Sequence, residues 1–149
     1  MAKSIFDDAA RQQLLARLAR LQPDSARRFG KMTPNQMVCH LADSMRCAIG
    51  ETPTRAHKTF LAVPLMRWLI LYVMPWPKGK VETSREMQLT QPGEFEADRQ
   101  HLAAMLARTA QRGPQAAWAV HPAFGAMSGK DYGVLIHRHC DHHFRQFGI

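Results

Sequence analysis

The 149-residue chain lacks most of the features that announce a function. Its three cysteines (Cys39, Cys47 and Cys140) are odd in number and show no C-x-x-C spacing, which argues against a disulfide framework. No basic-then-apolar leader with a small-residue cleavage site opens it. Together these two absences point to reduced thiols in a cytoplasm. There is no Gly-rich phosphate loop, no G-x-S-x-G elbow, no internal repeat and no low-complexity segment. No alternating apolar pattern of the kind that makes strands stands out.

The charge is one-sided, +8 with a pI near 10, yet no run reaches five like charges. Aromatic residues do not interleave with the basic ones as a base-stacking platform requires, so a dedicated nucleic-acid interface is not expected. The longest apolar stretch, Phe60 to Trp76, is broken by Pro64, Arg67 and Pro75. It is also short of the ~20 apolar residues that a bilayer span needs, so no transmembrane segment is expected. Its reading is a buried helix over about Leu65 to Met74, apolar nearly all round. A face used for dimerisation is the second reading.

What is present is an apolar fraction of 46%, enough for a core in one domain spanning residues 1–149. Phe6, Ala10, Leu14, Leu18 and Leu21 recur at helical spacing and predict a helix over 5–21, stopped by Pro23. Thr33-Pro34-Asn35-Gln36 is a capping box with proline at the first helical position, and Gly50 suits the other end of that helix. A polar linker follows. The stretch Trp76-Pro77-Lys78-Gly79-Lys80 is turn-rich, and 81–91 reads as an extended loop. Glu94 and Glu96 suit the first turn of a helix to Gln111 with a stripe of Phe95, Leu102, Met105, Leu106 and Thr109. Ser128 and Asp131 mark the start of a last helix reaching about Phe147.

Four of the eight histidines, His137, His139, His142 and His143, crowd this last helix. Its stripe is Tyr132, Ile136, His139, His143 and Phe147, so two of the four fall in register with apolar residues and point inward. Two imidazoles four residues apart can share one metal ion. His40, on or beside the buried face of the capped helix, is a third candidate ligand. His101 sits one step off its stripe. His137 and His142 fall on other faces and read as surface or rim. The pattern alone leaves bland readings open: a satisfied core histidine for His40, and a solvated basic helix end for the cluster. His121, beside Pro122, reads first as a loop anchor and second as an acid or base at a pocket mouth. Asp43 could orient an imidazole or form a surface pair. Arg145 could position an anion or satisfy the last carbonyls.

The chain resembles the DinB-like superfamily of proposed metalloenzymes, and within it a bacterial subfamily of unknown function. The resemblance is carried by Met32-Thr33-Pro34-Asn35-Gln36-Met37-Val38-Cys39-His40-Leu41-Ala42-Asp43-Ser44, by Trp76-Pro77-Lys78-Gly79, by His121-Pro122-Ala123-Phe124-Gly125, and by His139-Cys140-Asp141-His142-His143-Phe144-Arg145-Gln146-Phe147-Gly148. It implies an all-α four-helix bundle, here with an additional apolar helical segment and long loops, and a homodimer. It also implies a divalent ion, zinc or nickel first, on His40, His139 and His143, with His142 the rival to His143. The chemistry it suggests is hydrolysis or transfer to a small thiol, with a small-molecule substrate and a metal-activated water or thiol as nucleophile. A non-catalytic metal-binding or dimeric interaction module is the alternative.

Overall fold

The computed structural model describes residues 1–78 and 83–149. Gly79 and Lys80 of the turn-rich stretch, and 81–82 of the following loop, lie outside the described residues. Among those residues there are five α-helices and no strand, so the chain is all-helical. One isolated bridge pairs His121 with Gly125.

Helix α1 spans Asp8–Leu18 and is shorter than its apolar spacing suggests. Asp7 takes the cap position, accepting from the Ala9 N–H. Ile5 is drawn off instead, its N–H donating to the Gly133 carbonyl at 3.1 Å. Helix α2, Pro34–Ile49, has the complete capping box: Thr33 accepts from the Gln36 N–H and the Gln36 side chain accepts from the Thr33 N–H. Gly50 closes it at φ 84°, a left-handed conformation that glycine adopts without steric cost. Helix α4, Phe95–Gln111, is capped by the Glu94 carboxylate, and α5, Gly129–Gln146, by the Ser128 hydroxyl.

These four helices enclose one core. α2 lies against α4 and α5, and α1 lies against α5 and α4, so each touches two others. Met37, Leu41 and Met45 of α2 meet Leu102, Met105 and Leu106 of α4, Leu14 and Leu18 of α1, and Tyr132, Ile136 and Phe144 of α5. Each such side chain taken from water stabilises the fold by about 1.5–3 kcal/mol before conformational entropy is counted. Because α5 is covered by both α1 and α2, its buried arc is wider than one stripe. His137, expected at the surface, is only 8% exposed. It faces the N-terminal segment, with Lys3, Asp7 and Arg17 in range of its ring.

The apolar segment departs from its expected burial. Thr59 caps a single 3-10 turn, Phe60–Ala62. Helix α3 covers Pro64–Trp68 and widens into a π-helical turn, Leu69–Val73. Only Leu71 is fully buried, while Phe60, Val63, Leu65, Trp68, Val73 and Met74 are exposed. A stretch apolar on every side cannot bury every side on the flank of a core already filled by four helices. Arg138 of α5 fixes its end, donating to the carbonyls of Ile70, Leu71 and Met74 at 2.6–3.0 Å. No helix among the described residues is long and apolar enough to cross a membrane.

Candidate metal centre

α2 and α5 bring together three of the eight histidines. His40 projects from the middle of α2 and is 2% exposed. His139 and His143, one turn apart on α5, are half-buried. The three ring centroids form a nearly equilateral triangle with sides of 4.8, 4.8 and 4.9 Å. One ligand atom from each ring lies within 4.8 Å of the others, so the group could hold a metal ion.

The hydrogen bonds around the triangle fix which nitrogens are free. Nδ1 of His40 lies 2.9 Å from the Met87 carbonyl. A carbonyl can only accept, so the proton sits on Nδ1 and Nε2 presents a lone pair. Nδ1 of His143 lies 3.0 Å from Oε1 of Gln146. The Gln146 amide is oriented by its NH2, which donates to the Phe29 carbonyl at 2.9 Å. His143 therefore also carries its proton on Nδ1 and presents Nε2. Nε2 of His40 and Nε2 of His139 are 3.0 Å apart, so the His139 N–H donates to the His40 lone pair.

This donor set fits a divalent ion. Zn–N bonds of about 2.0–2.1 Å in a tetrahedral shell put neighbouring nitrogens about 3.3 Å apart. The closest pair, at 3.0 Å, is near that separation, and all three ligand atoms lie within 4.8 Å of one another. His139 need only carry its proton on Nδ1 instead of Nε2. Outer carbonyl partners that hold a ring in one tautomer are the usual companions of ligating histidines.

Burial lowers the basicity of all three rings. For His40 burial outweighs the opposing Met87 hydrogen bond. His139 is held well below its ordinary value, by burial and then by the proximity of His40 and His143. His143 is pushed down to about 3, first by burial and then by His40. Near neutral pH all three are therefore unprotonated lone-pair donors, the form that a metal needs.

The other candidates take different places. His142 lies outside the triangle, its ring 5.4 Å from Phe29 and 5.9 Å from Trp76. Trp76 also stands 6.1 Å from His139, so one indole flanks both histidines. His121 is a loop anchor: its Nδ1 accepts from the N–H groups of Ala123 and Phe124 at 3.1 and 3.2 Å. Asp43 hydrogen-bonds to no imidazole among the described residues. Its buried carboxylate accepts from the Thr90 N–H and hydroxyl at 2.8 and 2.6 Å. Arg145 is exposed and pairs with Asp141 at 3.0 Å. Cys39 and Cys140 are buried beside the histidines in sequence but outside the group, each thiol pushed up to about 12, chiefly by burial. His101 is exposed, near Arg46.

Two participants were not foreseen. Gln146 was detectable, because it follows His143 by three residues on the same helix. The Met87 carbonyl was not, because it comes from a 3-10 turn, Arg85–Met87, in a segment with no periodic signal. Asp43 explains how that turn is held: His40 and Asp43, three residues apart on α2, grip Met87 and Thr90 of the same loop.

The sequence matches a family model over residues 6–148, that of "Protein of unknown function (DUF1569)", and the chain belongs to that family. No curated protein and no solved structure matches it.

Proposed function

We propose that this member of the DUF1569 family is a divalent-metal-dependent enzyme of the DinB-like type, built on a four-helix bundle of α1, α2, α4 and α5. His40, His139 and His143 hold the ion, with zinc or nickel, as the resemblance implies, placed first among the metals that imidazoles suit. The observation that carries this reading is the triangle of rings, in which the outer nitrogens of His40 and His143 are tied to carbonyl oxygens while one ligand atom of each ring converges on the others. Three histidines leave coordination open, so a bound ion supplies Lewis acidity to a small ligand, as in hydrolysis or transfer to a low-molecular-weight thiol.

The chain's own residues supply the rest. Met87 and Gln146 hold two imidazoles in one tautomer, which removes the cost of ordering them when a ligand arrives. Trp76 flanks the site on the His139 side, its ring 6.1 Å from that imidazole. Neutral rings add no charge, so they would leave a bound divalent ion its full positive charge for Lewis-acid chemistry.

Cobalt substitution of the purified chain tests openness directly. Visible bands that shift on addition of azide or a small thiol mark a coordination position free for substrate. Bands unmoved by either ligand would assign a closed, structural ion and overturn the catalytic reading.

A further inference from the structure

Independently of the metal, we propose that the face formed by Phe60, Val63, Leu65, Trp68, Val73 and Met74 docks on an anionic phospholipid bilayer. Two observations carry this. The first is exposure: Phe60 is 66% exposed, Leu65 64%, Trp68 52% and Val73 56%, all within one fourteen-residue segment. Large apolar side chains this exposed and this close together mark an interaction surface rather than chance.

The second is charge. From Thr52 to Val81 the chain has no Asp or Glu but carries Arg55, Lys58, Arg67, Lys78 and Lys80. Arg55 and Lys58 are exposed, and no carboxylate among the described residues lies within ion-pair distance of either. Arg67 turns inward instead, donating to the carbonyls of Phe124 and Ala126 at 3.1 and 2.8 Å. Of the acids near the segment, Asp131 is taken up by the Tyr72 hydroxyl at 2.6 Å and by Ser128, and Glu86 lies in range of His57 and Arg85. The face is therefore apolar with a cationic border.

That combination selects the partner. A second copy would bring the same unpaired Arg55 and Lys58 to the contact, with its Asp131 already bonded to Tyr72 and Ser128, which opposes self-pairing. A nucleic acid matches the charge but not the aliphatic Val63, Leu65, Val73 and Met74, which offer bases nothing to stack on. An anionic bilayer takes both: Trp and Phe settle at the headgroup level, aliphatic side chains enter the acyl boundary, and Lys and Arg meet lipid phosphates. Arg138 donates to the carbonyls of Ile70, Leu71 and Met74, which ties the end of the segment to α5.

Co-sedimentation of the intact protein with vesicles tests this, using phosphatidylcholine alone and phosphatidylcholine partly replaced by phosphatidylglycerol. The protein should pellet with the mixed vesicles, remain in solution with the neutral ones, and be released by salt. Arg55→Gln with Lys58→Gln should weaken partitioning roughly 30-fold, at about one phosphate-attracted charge each. Leu65→Ser with Trp68→Ser should abolish it while circular dichroism stays unchanged. Failure to pellet with mixed vesicles overturns the proposal. So does pelleting that survives both double substitutions. A dimer by light scattering that Leu65→Ser with Trp68→Ser converts to monomer, without lipid binding, would assign the face to a second copy instead.

Discussion

Helices α2 and α3 both begin with proline at their first position, and both are rich in apolar residues. They come to opposite ends. α2 has a side-chain cap, runs for 16 residues and buries twelve of them. α3 has no side-chain cap, gives way after five residues to a π turn and buries none of its own. The difference lies in arrangement rather than in apolar content. α2 is covered by α4, α5 and the Arg85–Met87 turn, so every position from Met37 to Met45 is buried and Gln36 alone in the helix is exposed. α3 has no such cover, and once Leu71 is seated its remaining apolar surface stays outside. α2 can in addition bury polar groups, because each has a partner: His40 with Met87, Asp43 with Thr90, Ser44 with the Leu41 carbonyl.

Truncating one leucine in each region separates them most strongly. Leu41→Ala, at a fully buried position, should lower stability by about 2–5 kcal/mol, whereas Leu65→Ala should stay within about 0.5 kcal/mol. Urea denaturation of both variants checks this. Equal losses would mean that the α3 face is buried in the working protein.

Asp43→Ala sharpens the comparison at the level of buried polar groups. It leaves the Thr90 N–H and hydroxyl without an acceptor, at a cost of about 1–3 kcal/mol. It should also loosen the loop that presents the Met87 carbonyl to His40, lowering metal affinity by about 10–100-fold, as loss of an outer partner does. Calorimetric titration with zinc measures the second effect, and unchanged affinity would separate the loop from the site.

Acid should act on the metal-free protein through the buried imidazoles, not through α3. Burial holds His121 at about 4 and His143 at about 3, against an ordinary value near 6.5. Between those values and 6.5 the unfolded chain binds more protons than the folded one. Stability is thus fully present above pH 6.5 and falls as pH drops towards 3–4. His121→Asn, with its side-chain oxygen able to accept from the loop N–H groups, should flatten the upper part of that decline in melting temperature.

The four long helices were legible because caps and stripes are local: Thr33, Gln36, Gly50, Glu94 and Ser128 all act within a turn of where they stand. The in-register pair His139 and His143 was legible for the same reason, and His40 through its place on a capped helix. What was not legible depended on how elements share space. Nothing local says that α1 covers His137, that the core has no room for α3, or that a 3-10 turn delivers the Met87 carbonyl to His40. Asp43 shows the limit most plainly, since its acceptor role was readable but its partner, Thr90, lies 47 residues away.

Metal analysis of protein purified without a His tag asks whether the ring triangle binds a divalent ion. About one zinc or nickel ion per chain is expected. Binding should be lost in His139→Ala and His143→Ala and retained in His142→Ala, with helical content unchanged throughout. Substoichiometric metal that is indifferent to His143→Ala would contradict metal binding by the triangle.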